Sequence, residues 1–96
     1  MDNSNYPNLW EIIVGYFHED FDLFGNNVKE IIDTYKDGAD IKTRQAAIYD
    51  IDKFKQDCGV NLDFNFKREF GTQFDPKLWG YTTDSFLDEL KKLLQE

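Results

Sequence analysis

Apolar residues recur every three or four positions along most of the chain, a spacing typical of amphipathic helices. The first helix is predicted over residues 7–17, because Pro7 suits a first helical turn and apolar positions follow it at helical spacing: Leu9, Ile12, Ile13, Tyr16 and Phe17. Gly15 costs about 1 kcal/mol relative to alanine in a helix, which indicates a close backbone approach or an early helix end. Residues 18–25 are predicted to form a loop or broken turn.

Two more helices follow, each with a polar cap at its start. Asn26 or Asn27 caps the second, Glu30 supports that start, and Asp37-Gly38 ends it; its apolar stripe is Val28, Ile31, Ile32 and Tyr35. The third and longest helix is predicted from a cap at Asp40 to Cys58, with Gly59 just past its end. Its expected inner face is Ile41, Ala47, Ile48, Ile51, Phe54 or Lys55, and Cys58.

Residues 60–70 fit two periodicities. Val60, Leu62, Phe64 and Phe66 alternate as in a strand, whereas Leu62, Phe66 and Phe70 have helical spacing. Asn61 as a cap, and the absence of a partner strand elsewhere in the sequence, favour a helix. Residues 71–82 are predicted as a loop that Pro76 and Gly80 break and that returns over the core with Phe74, Leu78, Trp79 and Tyr81.

The last helix is predicted to start at a Thr83 or Asp84 cap and to bury one face. That face is Phe86, Leu87, Leu90, Leu93 and Leu94. The prediction is therefore an all-α fold, a compact single-domain bundle of four to five helices over residues 1–96. The two tryptophans, Trp10 and Trp79, and the phenylalanines are expected in the core.

Charge changes the picture, because it is concentrated at one end of the sequence. The formal net charge is −8; residues 1–40 hold nine acids against two bases, whereas residues 41–96 hold ten acids against nine bases. Such a surface repels a phosphate backbone, so nucleic acid is excluded as a ligand and a basic protein is favoured. Asp50 and Asp52, two apart on a helix, do not face each other, and both are expected to be solvated.

The remaining composition predicts a cytoplasmic protein without membrane attachment. The single cysteine, Cys58, excludes an internal disulfide and a four-thiolate zinc site. Residues 1–5 lack the positive start of a signal peptide. No apolar run approaches the ~20 residues that a membrane helix needs.

The run of aromatic and acidic residues from Tyr16 to Asp22 is the place where metal chemistry could be sought. An EF-hand loop starting at Asp20 needs an oxygen ligand and a glutamate where Phe24 and Ile31 stand. The chain has one histidine, His18, which is expected to bond a neighbouring carboxylate or cap the first helix. The sequence predicts no metal, no cofactor and no catalytic residue, since nucleophile and phosphate-binding motifs are also absent.

The same segment resembles a known family. Tyr6-Pro7-Asn8-Leu9, followed by Tyr16-Phe17-His18-Glu19-Asp20-Phe21, is similar to the opening of immunity proteins from bacterial contact-dependent growth inhibition systems. That family reads Y-P-x-L, a spacer and Y-F-H-x-D-[WF], with phenylalanine here in place of the more usual tryptophan. Family members are similar in length, acidic and helical.

The resemblance implies a binding function. The protein would bind the C-terminal domain of a cognate toxin, basic and often a nuclease, in a 1:1 complex and occlude its active-site or substrate-binding surface. The acidic residues predicted to bind this partner are Glu19, Asp20, Asp22, Asp33 and Asp37. The alternative is an acidic regulator that mimics nucleic acid and inhibits a DNA- or RNA-binding protein; a small enzyme or metal protein is a third, weaker reading.

Overall fold

Five α-helices make up the part of the chain that the structure describes. The structure is a computed structural model and describes residues 5–17, 23, 25–71 and 74–96. The helices are α1 (Pro7–Gly15), α2 (Val28–Gly38), α3 (Ile41–Cys58), α4 (Leu62–Phe70) and α5 (Thr83–Gln95), with 3₁₀ turns at Gly59–Asn61 and Pro76–Trp79. The predicted all-α compact bundle of four to five helices is confirmed.

The long helix α3 lies between α1 and α5, and α2 packs on α5. Ion pairs show that α3 and α5 are antiparallel. Lys55 Nζ, late in α3, lies 2.9 Å from Asp84 near the start of α5. Lys91 Nζ, late in α5, lies 2.9 Å from Asp52, which precedes Lys55 in α3. The radius of gyration is 12.2 Å, close to the value of about 12.5 Å expected for a compact chain of this length.

Two of the predicted caps are present and fix where α2 and α3 begin. The Asn27 side chain accepts a hydrogen bond from Glu30 N at 2.9 Å, while the Glu30 carboxylate accepts one from Asn26 N at 2.8 Å. The Asp40 side chain accepts one from Thr43 N at 2.8 Å, which holds the pKa of Asp40 below its usual value. These bonds satisfy backbone donors that a helix start otherwise leaves open.

Other ends differ from the prediction. Helix α1 ends at Gly15 rather than at residue 17. Of the two readings of Gly15 the early end is correct, since a Cβ there would meet only Glu11 Cγ, at an ordinary 3.7 Å. Asn61 occupies the capping position of α4, but its side chain makes no capping hydrogen bond.

The cap of α5 is Thr82, not Thr83 or Asp84. The Thr82 hydroxyl accepts a hydrogen bond from Ser85 N at 3.0 Å, and the Ser85 hydroxyl accepts one from Thr82 N at 2.9 Å. Thr83 is instead the first residue of the helix and is buried. A serine at the third helical position serves here in the role usually given to glutamate.

The core confirms most of the predicted inner faces. All five apolar residues predicted for α5 are buried, as are the predicted stripe of α2 and, in α3, Ala47, Ile51 and Phe54. Ile41 is exposed, contrary to the prediction, because six residues separate it from Ala47 and helical geometry then turns it about 120° away. Phe64 is also exposed: two positions before buried Phe66, it lies nearly opposite it on the helix.

Asp50 is the largest departure from the sequence prediction. It is only 5 % exposed rather than solvated. Its Oδ2 atom accepts hydrogen bonds from Asn8 N at 2.8 Å and Leu9 N at 3.3 Å. Because Tyr6, the residue before α1, provides no side-chain cap, the carboxylate of a distant helix caps α1 in its place.

Candidate functional site

In the first part of the sequence motif, Tyr6 to Leu9, the first and last residues are buried, Asn8 is half-buried and Pro7 is exposed. Leu9 is fully buried, and the Tyr6 ring packs edge-to-face on Phe54 with 5.1 Å between ring centroids. The Tyr6 hydroxyl donates a 2.7 Å hydrogen bond to Asp57. Burial, reinforced by this bond and by the carboxylate's charge, raises the pKa of Tyr6. This part of the motif therefore joins α1 to the end of α3.

In the second part of the motif, the structure describes two residues, the half-buried Tyr16 and the buried Phe17. Phe17 is fully buried at the centre of an aromatic cluster, with ring centroids 5.0 Å from Phe74, 5.4 Å from Phe86 and 5.9 Å from Trp79. Tyr16 packs edge-to-face on the ring of Tyr35 at 5.4 Å. The side chains of Tyr6, Leu9 and Phe17 thus hold the scaffold together.

Of the five predicted partner-binding residues, the structure describes two. Glu19, Asp20 and Asp22 lie outside the described residues, as does His18. Asp33 and Asp37 stand one turn apart on the solvent-facing side of α2, opposite its buried stripe. The structure therefore places these two carboxylates on one exposed helix face.

The two carboxylates differ in their surroundings. Asp33 accepts a 2.9 Å hydrogen bond from Lys29 Nζ, which holds the pKa of Asp33 below its usual value. Asp37 is exposed in the last turn of α2, where the negative end of the helix dipole disfavours a carboxylate. The neighbouring cation, Lys36, donates instead to the Leu93 carbonyl at 2.9 Å. The charge of Asp37 is therefore not one that favours this helix.

Sequence reasoning missed one exposed feature, the turn Pro76–Trp79. Leu78 was expected to cover the core but is 83 % exposed. The turn around it is fixed at both ends: the Asp75 side chain accepts a hydrogen bond from Lys77 N at 3.1 Å, and Gly80 closes the turn in the left-handed conformation. Since Pro76 is buried beneath it, the turn holds Leu78 outward.

Leu78 also lines a groove. Together with Trp79 it faces Asn26 and Asn27 at the start of α2 across a shallow depression of about 360 Å³. Trp79 in turn packs on Phe17 and, at 5.3 Å between centroids, on Phe74. The signal for this feature was present in the sequence as a turn between a proline and a glycine, but it does not reveal which side chain faces outward.

The described residues show no arrangement for metal or covalent chemistry. No group of three or more histidine, cysteine or acidic side chains among them is placed to hold a metal ion. The Cys58 thiol is half-buried, and burial raises its pKa, which lowers its thiolate fraction. No helix among the residues described is long and apolar enough to cross a membrane.

These features define a small, acidic, all-helical protein in which Tyr6, Leu9 and Phe17 of the sequence motif are buried and whose surface carries exposed carboxylates. The family model of the CdiI immunity protein matches residues 5–94, and the chain belongs to this family. The family resemblance is therefore confirmed. Comparison with curated proteins and with solved structures gave no significant match.

Family membership establishes the broad activity. CdiI proteins bind the cognate toxin domains of contact-dependent growth inhibition systems and neutralise them. Immunity proteins of this kind are typically inhibitors without catalytic activity. The chain is accordingly an immunity protein that acts by binding a toxin domain.

Proposed function

We propose that this chain neutralises a basic nuclease toxin domain in the cytoplasm by forming a 1:1 complex that occludes the toxin's active-site or substrate-binding surface. The observation that carries the proposal is the charge of residues 1–40, nine acids against two bases, on a chain that belongs to a toxin-binding family. A nuclease must attract phosphate and therefore presents a basic surface. An acidic partner is drawn to that surface and covers it.

The proposed contacts are the carboxylates of Glu19, Asp20, Asp22, Asp33 and Asp37. Asp37 has the strongest support among them, since it is exposed and lies where the helix dipole disfavours it. A charge that works against the stability of its helix is easier to explain by binding than by folding. Asp33 supports the same face more weakly because Lys29 already pairs with it.

The experiment is co-expression with the C-terminal domain of the toxin encoded beside this gene, scored by cell survival and by the mass of the purified complex. We expect survival and a 1:1 complex, and loss of nucleic-acid cleavage by the purified toxin domain when the complex forms. Absence of binding to an active toxin domain would contradict the proposal and favour the acidic regulator.

Charge variants test the surface itself. Neutralising Asp33→Asn with Asp37→Asn should raise Kd about three- to thirtyfold at low salt, mostly through a slower association rate. The matched control is Asp84→Asn with Asp88→Asn, which makes the same charge change four residues apart on α5. The reversal Asp20→Lys with Asp22→Lys should likewise weaken binding and alter its salt dependence. Equal effects of test and control pairs would show that only net charge matters.

A further inference from the structure

The described part of the chain exposes six large apolar side chains, and their surroundings differ. They are Leu23, Ile41, Tyr49, Val60, Phe64 and Leu78. A protein interface usually needs an apolar centre within its charged rim, because a few buried apolar contacts supply most of the binding energy. These six are therefore the candidates for the centre of a toxin-binding surface.

Charge separates the candidates. Val60 lies in the 3₁₀ turn Gly59–Asn61, and Phe64 lies on the outer side of α4. Exposed Lys67 and Arg68 follow Phe64 by one helical turn. Cations beside an apolar patch oppose the approach of a basic toxin domain. Ile41 and Tyr49 on α3 are likewise followed by lysines, Lys42 next to the first and Lys53 one turn beyond the second.

The groove beside Leu78 has no charged side chain in its lining, which consists of Asn26, Asn27, Leu78 and Trp79. The cation of its turn, Lys77, lies 3.6 Å from Asp63 and is thereby partly neutralised. The facing wall is the start of α2, where the Glu30 carboxylate binds the backbone. Exposed Leu23 precedes this wall by three residues, and three carboxylates precede Leu23 within four positions of the sequence.

We propose that Leu78 is an apolar anchor of the toxin interface and that the groove it forms with Trp79, Asn26 and Asn27 is occupied by the basic toxin domain. This inference rests on the proposed function and adds an apolar centre to its acidic rim. The long aliphatic stems of lysine and arginine fit such a site, since they pack on apolar and aromatic side chains while their charged ends reach carboxylates.

Rigidity and charge together support this occupant. Leu78 sits on a turn that is already fixed by Asp75, Gly80 and the packing of Trp79, so little conformational entropy is lost when it is covered. A second copy of the chain would bring two surfaces of the same negative sign together, which is unfavourable for a protein of net charge −8. A basic protein meets no such repulsion.

The test is the affinity of Leu78→Ala for the purified toxin domain, measured at low and high salt. The controls are Val60→Ala, at a side chain that is 100 % exposed, and Phe64→Ala, at one that is 66 % exposed. We expect Leu78→Ala to raise Kd about tenfold or more, mainly through faster dissociation. The ratio of the Kd of Leu78→Ala to the Kd of wild type should be the same at both salt concentrations, because the substitution removes no charge. Both controls should stay within about twofold of wild type.

The outcomes separate this inference from the proposed function. If wild type fails to bind an active toxin domain, the proposed function is wrong. If wild type binds and Leu78→Ala changes Kd no more than the controls do, the anchor is wrong while the function stands. An effect confined to Val60→Ala or Phe64→Ala would move the apolar centre to the turn Gly59–Asn61 or to α4. Self-association of wild type that Leu78→Ala abolishes would show that a second copy covers this residue and would overturn the assignment.

Discussion

The carboxylate of Asp50 stabilises the start of a helix that lies more than forty residues earlier in the chain. Its removal in Asp50→Ala leaves Asn8 N and Leu9 N without their acceptor, at a position where water has little access. Loss of a helix cap costs about 1 kcal/mol, and a buried donor left unsatisfied costs about 1–3 kcal/mol. Because the two contributions overlap, we expect the free energy of unfolding to fall by about 1–3 kcal/mol, which is less than their sum.

The chain offers a matched control two residues away. Asp52 is exposed on the same helix and pairs with Lys91, so Asp52→Ala should cost less than about 1 kcal/mol. The loss of unfolding free energy for Asp50→Asn should lie between the losses for Asp50→Ala and Asp52→Ala. The amide oxygen of asparagine still accepts a hydrogen bond, but the negative charge that favours a helix start is gone. Urea unfolding followed by circular dichroism gives all three values, provided that the slope of the free energy with urea is unchanged.

The reasoning about Asp50 would be refuted by one result in particular. If Asp50→Ala destabilises the protein no more than Asp52→Ala, the carboxylate does not cap α1 in solution. A larger loss for Asp50→Ala with a normal slope confirms that α1 depends on α3 for its first turn.

Two further predictions concern a tightly packed glycine and the side-chain cap of α3. Gly25→Ala should lower the free energy of unfolding by about 1–3 kcal/mol, because a Cβ there would lie 2.6 Å from Glu30 Cβ and 2.9 Å from backbone; Gly38→Ala, with open space around it, should be neutral or stabilising in the same urea assay. Asp40→Ala should destabilise α3 at neutral pH. Since hydrogen bonding to Thr43 lowers the folded pKa of Asp40, this difference from wild type should be full above pH ~5 and disappear as pH falls through that lowered pKa; a difference independent of pH would contradict the assignment.

The sequence was sufficient for most of the fold because local signals and core packing agree. Asn27 and Asp40 stand where caps are needed, and the apolar stripe of α5 is regular enough to predict each buried apolar residue of that helix. Phe64 shows the limit of the method. In a strand, Phe64 would lie on the same face as Phe66, whereas in a helix it lies nearly opposite Phe66. Its exposure can therefore be predicted only once the segment is known to be a helix.

The candidate site was harder to predict, for physical reasons. A periodicity contains no information about which distant backbone meets a side chain, so Asp50 could not be recognised as a cap for α1. The outward direction of Leu78 depends on how Trp79 packs on Phe17, again a contact between distant segments. Asp33 and Asp37 were predicted as a continuation of the acidic segment, and their four-residue spacing places them on one side of α2.

The location of the sequence motif inside the protein has a consequence for retargeting. Tyr6, Leu9 and Phe17 build the interior, whereas Leu78 and Asp37 project from it and contribute little to folding. If the projecting positions bind the toxin as proposed, randomising them would change what the molecule recognises without disturbing the interior. A library varied at such positions, and selected by survival against a noncognate toxin, would use this chain as a ready scaffold for new inhibitors.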